Sequence, residues 1–540
     1  MYSNYTPLQQ EQLLRQTCPD TQSCYLLVYA PGRSVQLSRS LDTQLHRKFR
    51  LVSSLSDQLT PSVEGVLLAA EDAGLMSTAL SFFADALQRK FDYIICDAVY
   101  GCGGVTAVCQ STAHRAGVGY ALVSRPLLDR CRAAARDPEN VSELLTLAGA
   151  FAENPYRIPE ALLHFGRDVS PADLFSAKGK RVLILSHLLD MTGAPIVLVS
   201  AVPVLRQLGY EVAVLGPEDG GSLELFSEAG AVVVTRAGCV STPVLLGLAF
   251  CADLVLANTV VEARAVRTLN GSAVPVLWWL HDAFAGYPHI AHQIPKVLEN
   301  NVRVYSVGSH AAAAMKDVRP DFDIRPLIYG LPDYAAEDFP RSDLAAAIGY
   351  PKDKPLFATV GSFEQRKGQD IFCQAIRLLP PETRAKASFL FVGKAAEKSM
   401  MDAVRDLTAD YPESIFYCKR LTRDEIKTLM ERCDCLVCAS RDDPMPTFVT
   451  EGLIFGKPAI VSEHTGTAGL VTEGVDGFVY HDDDPAQLAK ALAYAIEHPD
   501  VLNAMHPACR KLYETHYSKQ AFEQSLTAAV RELEALSVKA

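Results

Sequence analysis

"CDCLVCASRDDPMPTFVTEGLIFGKPAIVS" occupies residues 433–462. Within it an apolar run, a polar loop, a helical segment and a second apolar run succeed one another. Pro446 suits the first turn of a helix, where a backbone N–H is not needed. TFVTEGLIF then reads as that helix, and Gly456 ends it before the strand PAIVS. Strand, helix and strand in this order predict a parallel sheet covered on both faces. Thr447 and Glu451 are four apart and share one helix face. Asp443 lies in the preceding loop, near the positive end of the helix. Both acids can therefore point at one cleft, with first-turn N–H groups between them. A helix cap would account for Asp443, but a solvated Glu451 fits poorly on so apolar a segment.

The alternation extends in both directions. From residue 178 onward RVLILSH, EVAVLG, AVVVT, DLVLAN, VPVLWWLH and VRVYSVG read as strands separated by helical text. A Pro-, Asp- and Ala-rich linker covers residues 333–354. After it come LFATVG, ASFLFVG, SIFYCK, CDCLVCAS, PAIVS and GFVY, then the helical stretches AQLAKALAYAIEHP and KQAFEQSLTAAVRELEAL. Two doubly wound units joined by a linker leave a cleft, and ligands of such sheets sit at the carboxyl ends of the strands. Residues 1–175 read as a third, smaller α/β region. Its expected strands are CYLLVYAPG, FDYIICDAVYG and GYALVSRP, with VTAVCQSTAHRAG as a helix between the last two. GCGG at residues 101–104 opens that helix, as a tight turn or as an anion cradle.

A chain of 540 residues is too long for one core, and roughly three domains would account for it. Hydrophobic residues at 49% and charged residues at 21% give the balance of a soluble globular protein. A net charge of −12 excludes a general nucleic-acid binder but leaves room for a local phosphate pocket. The polar start, MYSNYTPLQQEQLLRQ, is not a secretory signal. PVLLGLAFCADLVLANTVV is broken by Asp253 and Asn258 and makes a poor membrane span, so at most peripheral membrane contact is expected. Fourteen scattered cysteines, several inside apolar runs, suggest reduced thiols and a cytoplasmic protein. Cys435 and Cys438 have CxxC spacing without a second ligand pair and read as core. Asp482, Asp483 and Asp484 lack partner ligands for a metal; Asp484, before Pro485, reads as a helix cap.

Two further strand-end loops carry chemistry. In MTGAP, Gly193 and Ala194 leave backbone N–H groups open at a helix start, where an anion is stabilised. In GSFEQRKG, residues 361–368, Arg366 and Lys367 stand just before the helix QDIFCQAIRLL. Positive charge there opposes the helix dipole, and a bound diphosphate would remove the conflict. One acid for ribose hydroxyls, amides for a diphosphate and a second acid near a sugar together suit a nucleotide sugar.

VGSFEQRKGQDIF, CASRDDPMPTFVTEGLIFGKPAIV and DGFVYHDDDPAQLAKAL resemble the C-terminal half of the retaining glycosyltransferases of family 4. MTGAPIVLVSAVPVLRQLGYEV, WLHDA and VYSVGSHAAAAM resemble its N-terminal half. The resemblance covers about residues 178–535 and leaves residues 1–175 outside. It implies an α/β fold of GT-B architecture, two Rossmann-like doubly wound domains facing across a cleft. Residues 176–335 would be the acceptor-side domain and 350–520 the nucleotide-sugar domain, with a terminal helix at 521–540 crossing back. By motif, Glu451 would hold the donor ribose, and Asp443 takes the place of the family's first glutamate beside the transferred sugar. Lys367 would contact the diphosphate, as would Gly193, Thr447 and Phe448 through their backbones. Ala194, Ser362, Arg366, Met445 and Pro446 complete the donor-binding set, and His281 matches the histidine facing the donor sugar. Trp278 and Trp279 read as wall and core. Two positions depart from the pattern: Asp443 is shorter than the usual glutamate, and Ser362 stands where many members have arginine, a charge that Arg366 would supply.

The resemblance implies transfer of a sugar from a nucleotide-sugar donor to a hydroxyl of a carbohydrate, lipid-linked or protein acceptor. Retention of configuration is implied, with no metal or other cofactor. The rivals are a non-catalytic protein that keeps the fold to bind a carbohydrate or a partner, and a nucleotide-sugar epimerase.

Overall fold

The computed structural model describes residues 19–537 apart from 20, 22, 32–36, 38–39, 42–43, 57, 71–73, 101–106, 111–119, 166–170, 177–178 and 236–242. The chain divides into two compact units, one running to Val276 and resuming at Leu533, the other Leu277–Glu532. Among the described residues no helix is long and apolar enough to cross a membrane. The apolar stretch after residue 242 is instead the short helix Pro243–Phe250 with a buried strand behind it.

In the first unit the strands are β1 (Leu26–Tyr29), β2 (Phe49–Val52), β3 (Gly65–Ala69), β4 (Gly74–Leu75), β5 (Tyr93–Tyr100) and β6 (Ala107–Gln110). They continue as β7 (Tyr120–Ser124), β8 (Pro155–Phe165), β9 (Lys180–Ser186), β10 (Tyr210–Leu215), β11 (Val232–Thr235) and β12 (Leu254–Asn258). Their order in the sheet is β12-β9-β10-β11-β6-β5-β7-β3-β1-β2, with β8 beside β5 and β4. β9 to β12 are parallel and buried, as their unbroken apolar runs require. β6 joins them antiparallel to β11, Val234 facing Cys109, so residues 1–175 share one sheet with β9 to β12. The expected helix VTAVCQSTAHRAG is thereby corrected: Ala107–Gln110 is a strand, paired on its other edge with β5. A short apolar run fits either element by pattern, and two neighbouring edges decided it. GCGG lies outside the described residues. The end of the helix Lys519–Ser537 counts with this unit, where Glu534 accepts from Lys180 Nζ and Tyr210 Oη, each at 2.8 Å.

The second unit holds β13 (Val276–Leu280), β14 (Val302–Ser306) and β15 (Ile324–Pro326), then a separate six-stranded parallel sheet. That sheet comprises β16 (Leu356–Val360), β17 (Ser388–Val392), β18 (Ile415–Cys418), β19 (Cys435–Cys438), β20 (Ala459–Ser462) and β21 (Gly477–Tyr480). Its order, β18-β17-β16-β19-β20-β21, reverses between β16 and β19. Consecutive connections leave those two strands in opposite directions and open a crevice at their carboxyl ends. Cys435 and Cys438 are buried in β19 and pack as small hydrophobes. Trp278 and Trp279 are fully buried in β13, and the Trp279 indole donates to Leu327 O at 2.8 Å. Asp484 caps the helix Pro485–Glu497 through Ala486 N at 2.8 Å. The 333–354 linker contains the short helix Leu344–Ile348, closed by Gly349 in the left-handed conformation.

Candidate functional site

Two loops leave the switch point. The first runs from β16 through the 3-10 turn Gln365–Lys367 into the helix Gln369–Leu378. The second runs from β19 into the helix Thr447–Ile454, with Pro446 at its N-cap and Gly456 (φ 72°) past its end. Gly368 lets the loops touch: its φ is 65°, and a Cβ there would lie 1.9 Å from Ala439 O. Arg441 N donates to Arg366 O at 2.8 Å, closing the two loops on each other.

Three consecutive residues of the second loop each reach a different element. Arg441 grips Asp370 of the helix Gln369–Leu378 with two bonds, 2.8 and 2.7 Å. Asp442 reaches residues beyond β13 and β14. Asp443, 3% exposed, accepts from Lys367 Nζ at 2.6 Å through Oδ2, and from Met445 N at 3.3 Å through Oδ1. Its own backbone is pinned by bonds to His464 O and from Gly466 N, at 3.1 and 3.0 Å. Asp443 and Lys367 are thus brought into direct contact, as two members of one site.

The clash of Arg366 and Lys367 with the helix dipole is resolved here by carboxylates. Lys367 pairs with Asp443, and Arg366 pairs with Glu364 at 3.1 Å while donating to Asp442 O at 3.0 Å. Ser362 donates to the same Glu364 at 2.7 Å. Met445 is buried, its sulfur accepting from Tyr517 Oη at 3.3 Å and Thr467 Oγ1 at 3.4 Å. Thr447 is exposed and Phe448 half-buried. As the opening residues of a helix, both have N–H groups without an intrahelical acceptor.

Glu451 is not a solvated side chain. It is 8% exposed and accepts from Arg423 Nη1 at 2.6 Å. Arg423 in turn lies over the Tyr334 ring, 4.7 Å from its centroid. Burial pushes the Glu451 carboxyl above the usual carboxylate range, and Arg423 offsets only part of that. Fully buried Tyr329 senses both acids: burial first, then the charges of Asp443 and Glu451 among others, raise its phenol.

His281 comes directly after β13, its ring 4.5 Å from that of Trp279. The turn after it, Phe284–Gly286, seats two amides on Asp442: Phe284 N to Oδ1 at 3.1 Å and Ala285 N to Oδ2 at 3.0 Å. His310 Nε2 adds a third bond to Oδ1 at 2.7 Å. Burial alone would raise the Asp442 carboxyl, but His310 and the two amides outweigh it and hold it below its ordinary value. Sequence reading missed Asp442, His310 and Arg423. The Asp442-Asp443 pair carried a signal, but Asp442's partners Phe284 and His310 lie 158 and 132 residues away, and Arg423 lies 28 from Glu451.

In the first unit, Gly193 opens the helix Gly193–Gln207 and is exposed, and Ala194 is half-buried. A side chain at 193 would meet nothing within 4 Å, so the backbone there is open. Asp190 Oδ1 accepts from Thr192 N and Oγ1, at 3.1 and 2.5 Å, and shapes the turn. Among the described residues no cluster of three or more His, Cys, Asp or Glu could hold a metal ion.

Residues 178–318 match the family described as glycosyl-transferase family 4, and residues 341–512 match glycosyl transferases group 1. A glycogen synthase of Pseudomonas syringae pv. syringae is 26% identical over 194 residues, 35% of this chain and 37% of the relative. The chain spans about a third of the length of the curated relatives it matches. Among solved structures, Anabaena HepE in complex with UDP and glucose superposes with a TM-score of 0.53 at 17% identity, over 65% of this chain and 100% of that one. A sucrose-phosphate synthase from Thermosynechococcus elongatus gives 0.53 at 17% identity, over 66% and 99%. These likenesses establish the fold.

Proposed function

We propose that this chain, whose residues 178–318 match glycosyl-transferase family 4 and 341–512 glycosyl transferases group 1 on a GT-B fold, moves a sugar from a nucleotide-sugar donor to a hydroxyl acceptor with retention of configuration. The observation that carries this reading is the Lys367–Asp443 pair at the β16/β19 switch point, beside the open amides of Thr447 and Phe448. In the reaction the bond from the sugar's anomeric carbon to the phosphate oxygen breaks. The acceptor oxygen bonds to that carbon, and the hydroxyl proton leaves with the products. Negative charge grows on the departing diphosphate, and Lys367 with the helix amides is preorganised to meet it. Asp443 stands against the positive charge that develops on the sugar. Glu451 accepts from the ribose hydroxyls, and His281 faces the donor sugar. Ser362, Arg366 and the backbones of Met445 and Pro446 complete the donor surroundings. A uridine nucleotide is the first donor to try, since HepE was solved with UDP. Free, mostly buried thiols suit the reducing cytoplasm.

No metal enters this scheme, because Lys367 and the amides supply the positive charge. UDP, GDP, ADP and TDP should be screened by thermal shift, since a ligand of the folded state raises its stability. The nucleotide that binds then supplies the sugar donor for a turnover assay. Turnover is expected to survive EDTA, and Asp443→Asn to bind the diphosphate as tightly as the parent while losing about 100-fold or more in kcat. Turnover that vanishes with chelator and returns with magnesium would reject the metal-free scheme. Normal turnover in Asp443→Asn would reject its role, and an epimerised donor without acceptor would reject transfer.

A further inference from the structure

We infer that Asp442 is a positioning residue: its carboxylate latches the turn after His281 onto the loop that carries Asp443, and so sets where the His281 ring stands. The inference rests on the donor-site reading but concerns a residue to which that reading gives no part. Its basis is the bonding of one side chain. Asp442 accepts from the consecutive amides of Phe284 and Ala285, one on each oxygen, and from His310 Nε2. Phe284 and Ala285 open a 3-10 turn, whose first N–H groups have no acceptor within the turn. A carboxylate from a distant loop supplies it, as a capping side chain would. The ring of Phe284 sits against His310, centroids 5.1 Å apart, so the turn is held by its side chain as well.

The turn is short and tied at both ends. Gly286 N and Tyr287 N bond back to Ala283 O and Phe284 O, at 3.0 and 3.2 Å, so the segment behaves as one rigid piece. Only Asp282 and Ala283 separate it from His281, which directly follows buried β13. Holding Phe284 and Ala285 on Asp442 therefore fixes the direction in which the chain leaves β13, and with it the imidazole. The other face of the same loop is fixed too, because Asp443 is pinned to Lys367 and to the backbone at His464 and Gly466. Asp442 is the covalent neighbour of Asp443, so the two proposed reacting groups, Asp443 and His281, are referenced to one another through a single carboxylate. An asparagine cannot replace it. Two amides and an imidazole all donate, and an asparagine side chain offers one oxygen and turns an NH2 toward the remaining donor.

Two measurements test this. Both tryptophans of the chain, Trp278 and Trp279, lie in β13, and the Trp279 ring touches His281. Intrinsic fluorescence therefore reports on this turn whether or not the protein turns over. Asp442→Ala and Asp442→Asn are both expected to shift the emission to longer wavelength and increase quenching by acrylamide, with the protein still folded by circular dichroism. An unchanged spectrum in both overturns the latch, independently of any donor chemistry. The second measurement is a double-mutant cycle with His281→Ala in the turnover assay. Asp442→Asn should lower kcat about 10- to 100-fold, the scale of an ångström's misplacement, and leave the Kd of the nucleoside diphosphate unchanged. In the His281→Ala background it should have little further effect, because the two act as one unit. Multiplying losses, or a Kd that weakens with kcat, would make Asp442 an independent part of the donor loop and overturn the inference. A parent protein without turnover in which Asp442→Asn still shifts the emission would reject the transferase reading and leave the latch standing.

Discussion

Glu451 shows how much a single buried carboxyl can report. It sits beside one guanidinium, yet burial still raises its pKa. A carboxyl whose folded pKa lies above its unfolded value, about 4.3 for glutamate, binds its proton more tightly when folded. Its ionisation therefore lowers stability as the pH rises between those two values. Ribose hydroxyls donating to the charged form would pull the pKa back down, so nucleotide binding is expected to release a proton within that window. Calorimetry in two buffers of different ionisation enthalpy measures the release directly. Glu451→Gln should abolish it and weaken binding by about 1.5–3 kcal/mol, the value of a hydrogen bond to a charged group. Binding without proton release in the parent would leave Glu451 as no more than the partner of Arg423.

The elements of the site depend on the backbone conformation of one residue. Gly368 joins the 3-10 turn to the helix Gln369–Leu378 with φ 65°, and Ala439 O occupies the place of a Cβ. Gly368→Ala is expected to lower stability by about 1–3 kcal/mol from the backbone alone. The overlap with Ala439 would also push the Lys367 loop away from the Asp443 loop. Denaturant unfolding and nucleotide Kd should therefore both worsen. Parent-like values for both would mean the loops are not in contact in solution. The helix after Pro446 and its end at Gly456 were legible beforehand, because caps and breakers are local signals. What each side chain of that helix meets was not. Thr447 and Glu451 share a helical spacing, yet one is exposed and the other is buried on Arg423.

At the scale of the molecule, residues 1–175 enter the same sheet as β9 to β12, through β6 and β11. A buried ion pair reinforces that junction. Arg157 of β8 donates to both oxygens of Asp97 in β5, at 2.7 and 2.6 Å, and to Glu224 of the helix Leu223–Glu228 at 2.7 Å. Asp97 is 0% exposed. Arg157→Ala strands that charge and is expected to lower stability by about 3–5 kcal/mol. Replacing the pair together, Asp97→Leu with Arg157→Met, should recover most of it, because a well-packed apolar pair needs no compensation. Urea unfolding decides. A loss under about 1 kcal/mol in Arg157→Ala would class the pair with solvent-exposed ones.

By itself the sequence located the strands over residues 178–535, β15 excepted, since apolar runs, caps and Gly or Pro breakers act within a few residues. It also pointed to Lys367 and Glu451, whose charges were out of place on dipole or apolar grounds, and to Asp443 in the loop before the helix of Glu451. Only the tertiary structure decided who answers each charge. Asp443 answers Lys367, Glu364 answers Arg366, Arg423 answers Glu451, and Asp442 answers two amides and His310. It also decided that Ala107–Gln110 is a strand. Periodicity is a property of neighbours along the chain, whereas an ion pair or a sheet edge is a property of neighbours in space. Folding joined residues up to 354 positions apart, and no local pattern records such a meeting.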